Sequence, residues 1–445
     1  MWLKSLHVEN FRGFEKLDVT FDEHVTLLVG GNGAGKTAVL EAIKVALGSY
    51  FAGIDQSPDQ SIDIEHARRV VHEIGGVLDL QEQWPVRVSA IADLSHDERP
   101  PSIQFSLPIG EPVLVEWSRE RAGRGGRTNW GTDVLVRDFA QHLQRSTQEG
   151  REVPLPLLAC YGTGRLWRQK KVTETRLGIG TRFDGYTDCL DIASSEHLLS
   201  LWMYDKRLIE LEAREHEPSA SEPRLAAVTR AVCDCVEGVS RFWIDMRYKE
   251  IRLERNGAIE SFSMLSDGYR NMIAMVADIA QRAATLNPQF GSAAARKTAG
   301  IVLVDEIDLH LHPKWQRSVI ASLRRAFPKM QFIATTHSPQ VVASVQRGQV
   351  RLFEGNHLVD ADLFVEGRAS NELLTDVFDV PARPEATERE LDELFRMLDL
   401  ENYDDAQAKF ADLVRRLGPD DAAMVRARWI LDTEGGVKSI TPVAS

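Results

Sequence analysis

Short alternating runs of apolar and polar residues fill the first quarter of the chain, and uniformly apolar strands punctuate the rest. Residues 2–9 and 17–21 alternate and predict a hairpin-like pair of strands around 10–14. VTLLV at 25–29 is wholly apolar, and AVLEAIKVAL at 38–47 spaces its apolar side chains as a helix does. The polar stretch 50–63, with Gly53 and Pro58, predicts a loop. Between 84 and 122 three strands are expected, VRVSAIADL, IQFSL and VLVEWSRE; a turn at 123–129 and an apolar strand at 155–162 follow. Helical spacing covers 190–212 and 222–240. Two charged strands, 245–255 and 260–264, are joined by the turn RNGA, and a further helix covers 265–283. IVLVD at 301–305 has the near-continuous apolar character of a central parallel strand. A helix at 313–327, a buried strand at 330–337 and a strand at 350–355 come next. After the stop signal PARP, residues 385–430 are charged and helical by pattern, and the final VKSITPVAS carries no periodic signal.

Composition narrows the class. The chain has 445 residues, 43% hydrophobic and 27% charged, an ordinary globular balance. Its formal charge of -13 argues against coating of nucleic acid by the whole surface, while leaving room for a local basic groove. Four cysteines, Cys160, Cys189, Cys233 and Cys235, fit a reducing compartment. Cys233 and Cys235 have no second close pair, which argues against a zinc site. The amino terminus reads as neither signal peptide nor anchor. No apolar run approaches the roughly 18 residues of a spanning helix. The expected location is therefore cytoplasmic.

The chemistry is concentrated in Gly30-Gly31-Asn32-Gly33-Ala34-Gly35-Lys36-Thr37, a G-x-x-x-x-G-K-[ST] loop between an expected strand and an expected helix. Its glycines let the backbone curl, so that amides of Asn32, Gly33, Ala34, Gly35, Lys36, Thr37 and Ala38 converge on phosphate oxygens at a helix start. Lys36 is expected to reach the β and γ phosphates of ATP, and Thr37 to offer its hydroxyl to Mg2+. The apolar strand 301–304 runs into Asp305 and Glu306. Asp305 is assigned to the metal and Glu306 to polarising the attacking water. His337 stands 31 residues after Glu306, at the carboxyl end of the next buried strand, where it can contact the γ-phosphate.

Together these pieces resemble the ATP-binding-cassette ATPases of the SMC/RecF class. The opening LKSLHVENFRGFEKLDVTF, with Phe11-Arg12-Gly13 ahead of the loop, is similar to that class's first strands. Leu265-Ser266-Asp267-Gly268-Tyr269-Arg270 resembles its signature motif, with Asp and Tyr in place of a Gly and an acidic or amide residue. The run 305–313 resembles Walker B plus the D-loop, and Thr336-His337-Ser338-Pro339 the switch region. The wording DEIDLHLHPKWQ with THSPQVV is characteristic of a bacterial subgroup that includes ATPases of Septu-type and retron phage-defence systems. The resemblance implies an α/β fold: an ABC-type P-loop cassette with an antiparallel β subdomain, a helical insertion and a small helical C-terminal domain. The expected segments are 1–122, 123–259, 260–358 and 359–445. It also implies that Arg12 lies near the nucleotide. Ser266 and the amide of Gly268 would bind the γ-phosphate of a second copy in a head-to-head ATP dimer, within a likewise expected higher oligomer.

The function expected is an ATP-hydrolysing switch that dimerises on ATP and regulates a separate nuclease effector, with DNA or RNA as a candidate trigger and no membrane partner. A housekeeping RecF-like DNA-repair ATPase and an ATP-bound scaffold with little turnover are the alternative readings. A nuclease within this chain is disfavoured. LFVEG at 363–367 offers Glu366, but no apolar strand ending in Asp-x-Asp follows, and Asp404-Asp405 lies in a polar helical stretch. Sustained heptads and a Cys-x-x-Cys hook are absent, which argues against a chromosome-tethering arm. Two basic clusters, Arg165, Arg168, Lys170, Lys171 and Arg182, and Arg241, Arg247, Lys249, Arg252 and Arg255, either contact phosphates or form solvated faces. The helices of 385–430 are expected to dock a partner.

Overall fold

A computed structural model describes residues 1–55, 60–94, 113–129, 132, 134–166, 180–190, 196–359, 363–381 and 383–433. The expected strand IQFSL, most of the basic run after Gly164 and the final VKSITPVAS lie outside the described residues. The chain divides into two compact units, Met1–Leu373 and Leu374–Ser445.

In the first unit, β1 (Trp2–Phe11) and β2 (Phe14–Thr20) form the expected hairpin, and β3 (Val25–Gly30) leads into α1 (Lys36–Phe51). β4 (Arg68–Ile74) and β5 (Val77–Gln83) form a separate two-stranded ribbon. β6 (Val86–Asp93) and β7 (Leu114–Arg121) complete an antiparallel sheet in the order β2-β1-β6-β7. This sheet packs on α1. The Trp117 indole donates to the Ala46 carbonyl at 2.9 Å, and the fully buried Arg119 donates to the Val45 carbonyl at 2.7 Å. α2 (Val134–Gln148) turns Val136, Phe139, Ala140 and Leu143 inward. β8 (Leu157–Tyr161) follows, then α3 (Glu196–His216) and α4 (Pro223–Cys235). β9 (Val239–Asp245), β10 (Glu250–Arg255) and β11 (Ala258–Ser261) make a three-stranded antiparallel sheet.

α5 (Asp267–Leu286), β12 (Gly300–Val304), α6 (Val319–Ala326), β13 (Met330–Thr336), β14 (Val350–Glu354) and β15 (His357–Val359) complete the unit's main elements. The central sheet has the order β15-β14-β3-β13-β12-β8. All its pairings are parallel except the β14–β15 edge. Strands buried on both faces need the apolar sequences that β3, β8, β12 and β13 carry, and every residue of these four is buried. α5 is tied to the sheet's far edge: the Tyr161 hydroxyl donates to Asp278 at 2.7 Å, and Arg282 donates to the same carboxylate at 2.8 Å. Burial, with the Asp278 charge beside it, raises the Tyr161 hydroxyl well above its ordinary value, so it stays a donor.

Several local expectations change. The helix expected to 240 ends at Cys235, and β9 begins at Val239 after Gly238, whose φ is +82°. The strand expected over 245–255 is a hairpin, because the Asp245 carboxylate accepts the Arg247 amide at 3.0 Å and turns the chain. The helix expected over 313–327 is two pieces, Pro313–Gln316 and Val319–Ala326. The ribbon of β4 and β5 and the helix α2 were not anticipated.

The described residues of the second unit include three helices, α7 (Glu385–Asp399), α8 (Tyr403–Leu417) and α9 (Ala422–Thr433), around a core of their own that includes Leu391, Leu394, Leu398, Phe410, Leu413 and Met424. Asp404 and Asp405 begin α8, and in the first unit Glu366 lies outside any strand. The strand-borne acids of a Toprim-type nuclease site are thus not present at these positions.

Candidate active site

The strand order builds the site. β3, β13 and β12 are neighbours in parallel, with Val29 paired to Thr336 and Ala334 to Val304. Neighbouring strands lie about 4.8 Å apart. The carboxyl ends that carry the glycine loop, His337 and Asp305 therefore converge within one crevice, where open α/β sheets bind ligands.

The loop starts on the last residue of β3. Gly35 has a φ of +93°, and a Cβ there would lie 2.3 Å from Phe14 Cζ, so both conformation and space require glycine. α1 starts at Lys36, and its first-turn amides, including those of Lys36, Thr37 and Ala38, have no carbonyl within the helix to pair with. Asn32 and Gly33 are exposed at the tip, and Ala34 is buried behind it. The Lys36 ammonium folds back to donate to the Gly30 and Gly31 carbonyls, each at 2.8 Å. Burial lowers its pKa, opposed by the carboxylates of Asp305, Glu306 and Asp308. Those opposing charges mark how closely the acids face the loop.

Thr37 Oγ1 lies 3.2 Å from both carboxylate oxygens of Asp305. Thr335, fully buried in β13, donates its hydroxyl to Asp305 Oδ1 at 2.6 Å and accepts the Glu306 amide at 2.7 Å. One hydroxyl thus holds the Asp305 carboxylate and the Glu306 backbone. Glu306 has a φ of +49°, the left-handed region that a residue with a Cβ seldom adopts. The strained backbone turns the chain at the strand end, directly after Asp305. Asp308 accepts the Thr336 hydroxyl at 2.5 Å and the His337 amide at 3.4 Å. Burial and then the Lys36 charge lower the His337 pKa, against the pull of Asp308, Glu306 and Asp305. Its imidazole is neutral near pH 7 and can donate or accept a hydrogen bond.

A hydroxyl and a carboxylate, both hard oxygen donors, suit Mg2+ sharing its shell with phosphate and water. Among the described residues no group of three or more His, Cys, Asp or Glu could hold a metal ion. Magnesium chemistry and the donor set agree.

Ser266 stands elsewhere. It is the N-cap of α5, exposed, with no capping bond from its side chain. Among the described residues it does not take part in the hydrogen bonds that gather Thr37, Asp305, Thr335 and Glu306. Its helix instead abuts the 308–311 turn: a Cβ on Gly268 would sit 2.1 Å from the His310 carbonyl oxygen. Tyr269 packs edge-on against Trp315, with the Arg255 guanidinium 4.4 Å from its ring centroid. Arg12, with a φ of +54°, pairs with Glu41 on α1 at 2.6 Å, one turn beyond Thr37.

The basic clusters resolve unequally. Arg182 is an internal tie, donating to the carbonyls of Leu286 and Val153 at 2.7 and 2.5 Å. Arg241, Arg252 and Arg255 pair with Glu254, Asp245 and Glu260 at 3.6, 3.3 and 2.9 Å, as on a solvated face. The site residues that sequence reasoning passed over are Thr335 and Asp308. The signal was present: two consecutive threonines at the end of a buried strand, and a third acid two residues beyond Glu306. Ser338, buried beside His337, donates to Gln316 at 2.8 Å, and Gln316 donates to the Leu311 carbonyl at 2.9 Å.

The chain is similar to several known proteins. Two family models, each described as an AAA domain, match residues 5–222 and 197–343. The protein named Retron Ec83 probable ATPase, from Escherichia coli, is 25% identical, over 95% of this chain and 85% of that one. The Septu protein PtuA from Bacillus thuringiensis is 24% identical, over 82% of this chain and 78% of its own. Among solved structures, an SMC head bound to the C-winged helix domain of ScpA is 15% identical over 82% of this chain and 99% of its own, with a TM-score of 0.47. No helix among the described residues is long and apolar enough to cross a membrane.

Proposed function

Because AAA-domain models match residues 5–222 and 197–343 and the chain is similar to retron ATPases and to the Septu protein PtuA, we propose that it is an SMC/RecF-like, ATP-hydrolysing switch. It closes head to head on ATP and controls a separate nuclease effector in anti-phage defence. The observation that carries this reading is the contact between Thr37 and Asp305 at the Lys36 loop, with Glu306 turned out beside them by a left-handed backbone.

In this reading the amides from Asn32 to Ala38 cradle the phosphates, and Lys36 leaves the Gly30 and Gly31 carbonyls to neutralise the β and γ groups. Thr37 and Asp305 hold Mg2+, which supplies charge stabilisation to the transferring phosphoryl group. Glu306 accepts a proton from water as its oxygen bonds to the γ-phosphorus and the bond to the ADP oxygen breaks. His337 hydrogen-bonds the γ-phosphate, and Arg12 approaches the nucleotide from the α1 side. Ser266 and the Gly268 amide of a second copy close the site, so ATP joins two subunits and hydrolysis releases them. The helices after 385 dock the effector.

The test separates binding from turnover. Lys36→Ala is expected to weaken ATP binding by about 10²-fold, and Glu306→Gln to keep binding but lower phosphate release by a similar factor while accumulating the ATP-bound dimer. Titration calorimetry, steady-state phosphate release and sedimentation read the three quantities. Wild-type turnover by Glu306→Gln would reject its role as the base.

A further inference from the structure

The ribbon of β4 and β5 takes no part in the site described above. It is joined through the turn Gly75–Gly76, with Val71 opposite Leu80, Glu73 opposite Leu78 and Ile74 opposite Val77. Val71, Ile74, Val77, Leu78 and Leu80 are all more than half exposed. An isolated two-stranded ribbon is at best marginal in water and gains from further strands. At its root, Ala67 bridges to Phe11 and the His66 carbonyl accepts the Arg12 amide at 2.7 Å. Beyond that point, among the described residues, the outer edge of β4 from 69 to 74 forms no backbone hydrogen bond.

The sequence of that edge is self-complementary. In RRVVHEI, Arg69 and Glu73 lie symmetrically about Val71. Both are exposed, and neither has an ion-pair partner among the described residues. If two β4 strands pair antiparallel about a two-fold axis at Val71, each Arg69 stands opposite the other copy's Glu73. Val71 meets Val71, and Val70 meets His72. β5 offers no such match, since centring on Leu80 would set Leu78 against Glu82. Isologous contacts require a patch complementary to itself, and open strand edges seek pairing.

We propose that the β4 edge is a self-association surface: two copies of this chain join through antiparallel β4–β4 pairing about Val71, with two Arg69–Glu73 ion pairs. The contact uses no phosphate-loop or signature residue, so it forms without nucleotide and is separate from the ATP-dependent closure proposed above. One strand pair covers less than the roughly 800 Å2 per partner of a stable complex. The free affinity is therefore modest, and the contact gains strength by avidity once subunits are joined elsewhere.

The experiment uses the full chain with EDTA and no nucleotide, read by sedimentation velocity over a concentration series. Wild type is expected to self-associate reversibly. Arg69→Glu and Glu73→Arg each turn two opposite-charge pairs into two like-charge pairs and should weaken association roughly tenfold. Mixing the two variants restores opposite charges across the axis, and a one-to-one complex near wild-type affinity should return. That recovery also shows both variants to be folded. Wild type that stays monomeric, single variants that associate as wild type does, or a mixture no tighter than its parts would each overturn the proposal. Because nucleotide is absent, failure here leaves the ATP-dependent dimer untouched.

Discussion

Gly268→Ala tests whether the signature helix and the 308–311 turn act as one piece. The new Cβ would stand 2.1 Å from the His310 carbonyl oxygen, 3.1 Å from its carbon and 3.7 Å from Leu311 Cα. Ordinary contact requires more than 3 Å, so helix and turn must part by about 1 Å. The obstacle is backbone and cannot rotate away. Overpacking of this kind costs about 1–3 kcal/mol. The loop at Lys36 is untouched, so ATP affinity of the isolated subunit should stay within about twofold. The start of α5, which carries Ser266, shifts by about the same 1 Å against the turn after Asp305. A misplacement of that size can cost about 10²-fold in turnover. Calorimetric ATP binding, phosphate release and ATP-dependent sedimentation should therefore show intact binding with lost turnover and lost association, alongside a slightly lowered Tm. Turnover and Tm both equal to wild type would refute the close packing of Gly268 on His310 and the role built on it.

Two further predictions address the acids and the histidine. Thr335→Val keeps the shape of a fully buried residue but removes the donor to Asp305 and the acceptor of the Glu306 amide; denaturant unfolding should show a loss of about 1–3 kcal/mol, and kcat should fall more than ATP affinity, while Thr335→Ser keeps both. His337 has a lowered pKa in the folded protein, so the unfolded chain binds its proton first as pH falls. Its contribution to stability is therefore full above the unfolded value of about 6.5 and is lost as pH drops toward the folded pKa. Unfolding curves of wild type minus His337→Gln across this window should slope in that direction, and a flat difference would show that the imidazole is not held neutral.

Much of the site was legible along the chain. Gly30 to Thr37, Asp305, Glu306 and His337 each sit at the end of an apolar strand, and burial of such strands on both faces leaves them few arrangements besides a parallel sheet. The pairing of Thr335 with both acids was not legible, because a hydroxyl inside an apolar strand reads the same whether it satisfies its own backbone or a side chain 30 positions away. Arg182 and Arg255 look alike as cations in sequence. Only their partners separate the one that ties loop to helix from the one that rests on Tyr269 and Glu260. The hairpin at 245–250 escaped notice because its turn is made by the Asp245 side chain, with no glycine or proline to mark it.

The one-dimensional pattern determined the central strands and the residues at their carboxyl ends, because periodicity and glycine chemistry are local properties. Tertiary structure alone decided the order β3-β13-β12, which sets the loop, the histidine and the acids side by side. It also decided the close approach of Gly268 to His310 and the open edge of β4. These depend on which distant surfaces share one core, and a free energy summed over the whole fold makes that choice where no single stretch of sequence can.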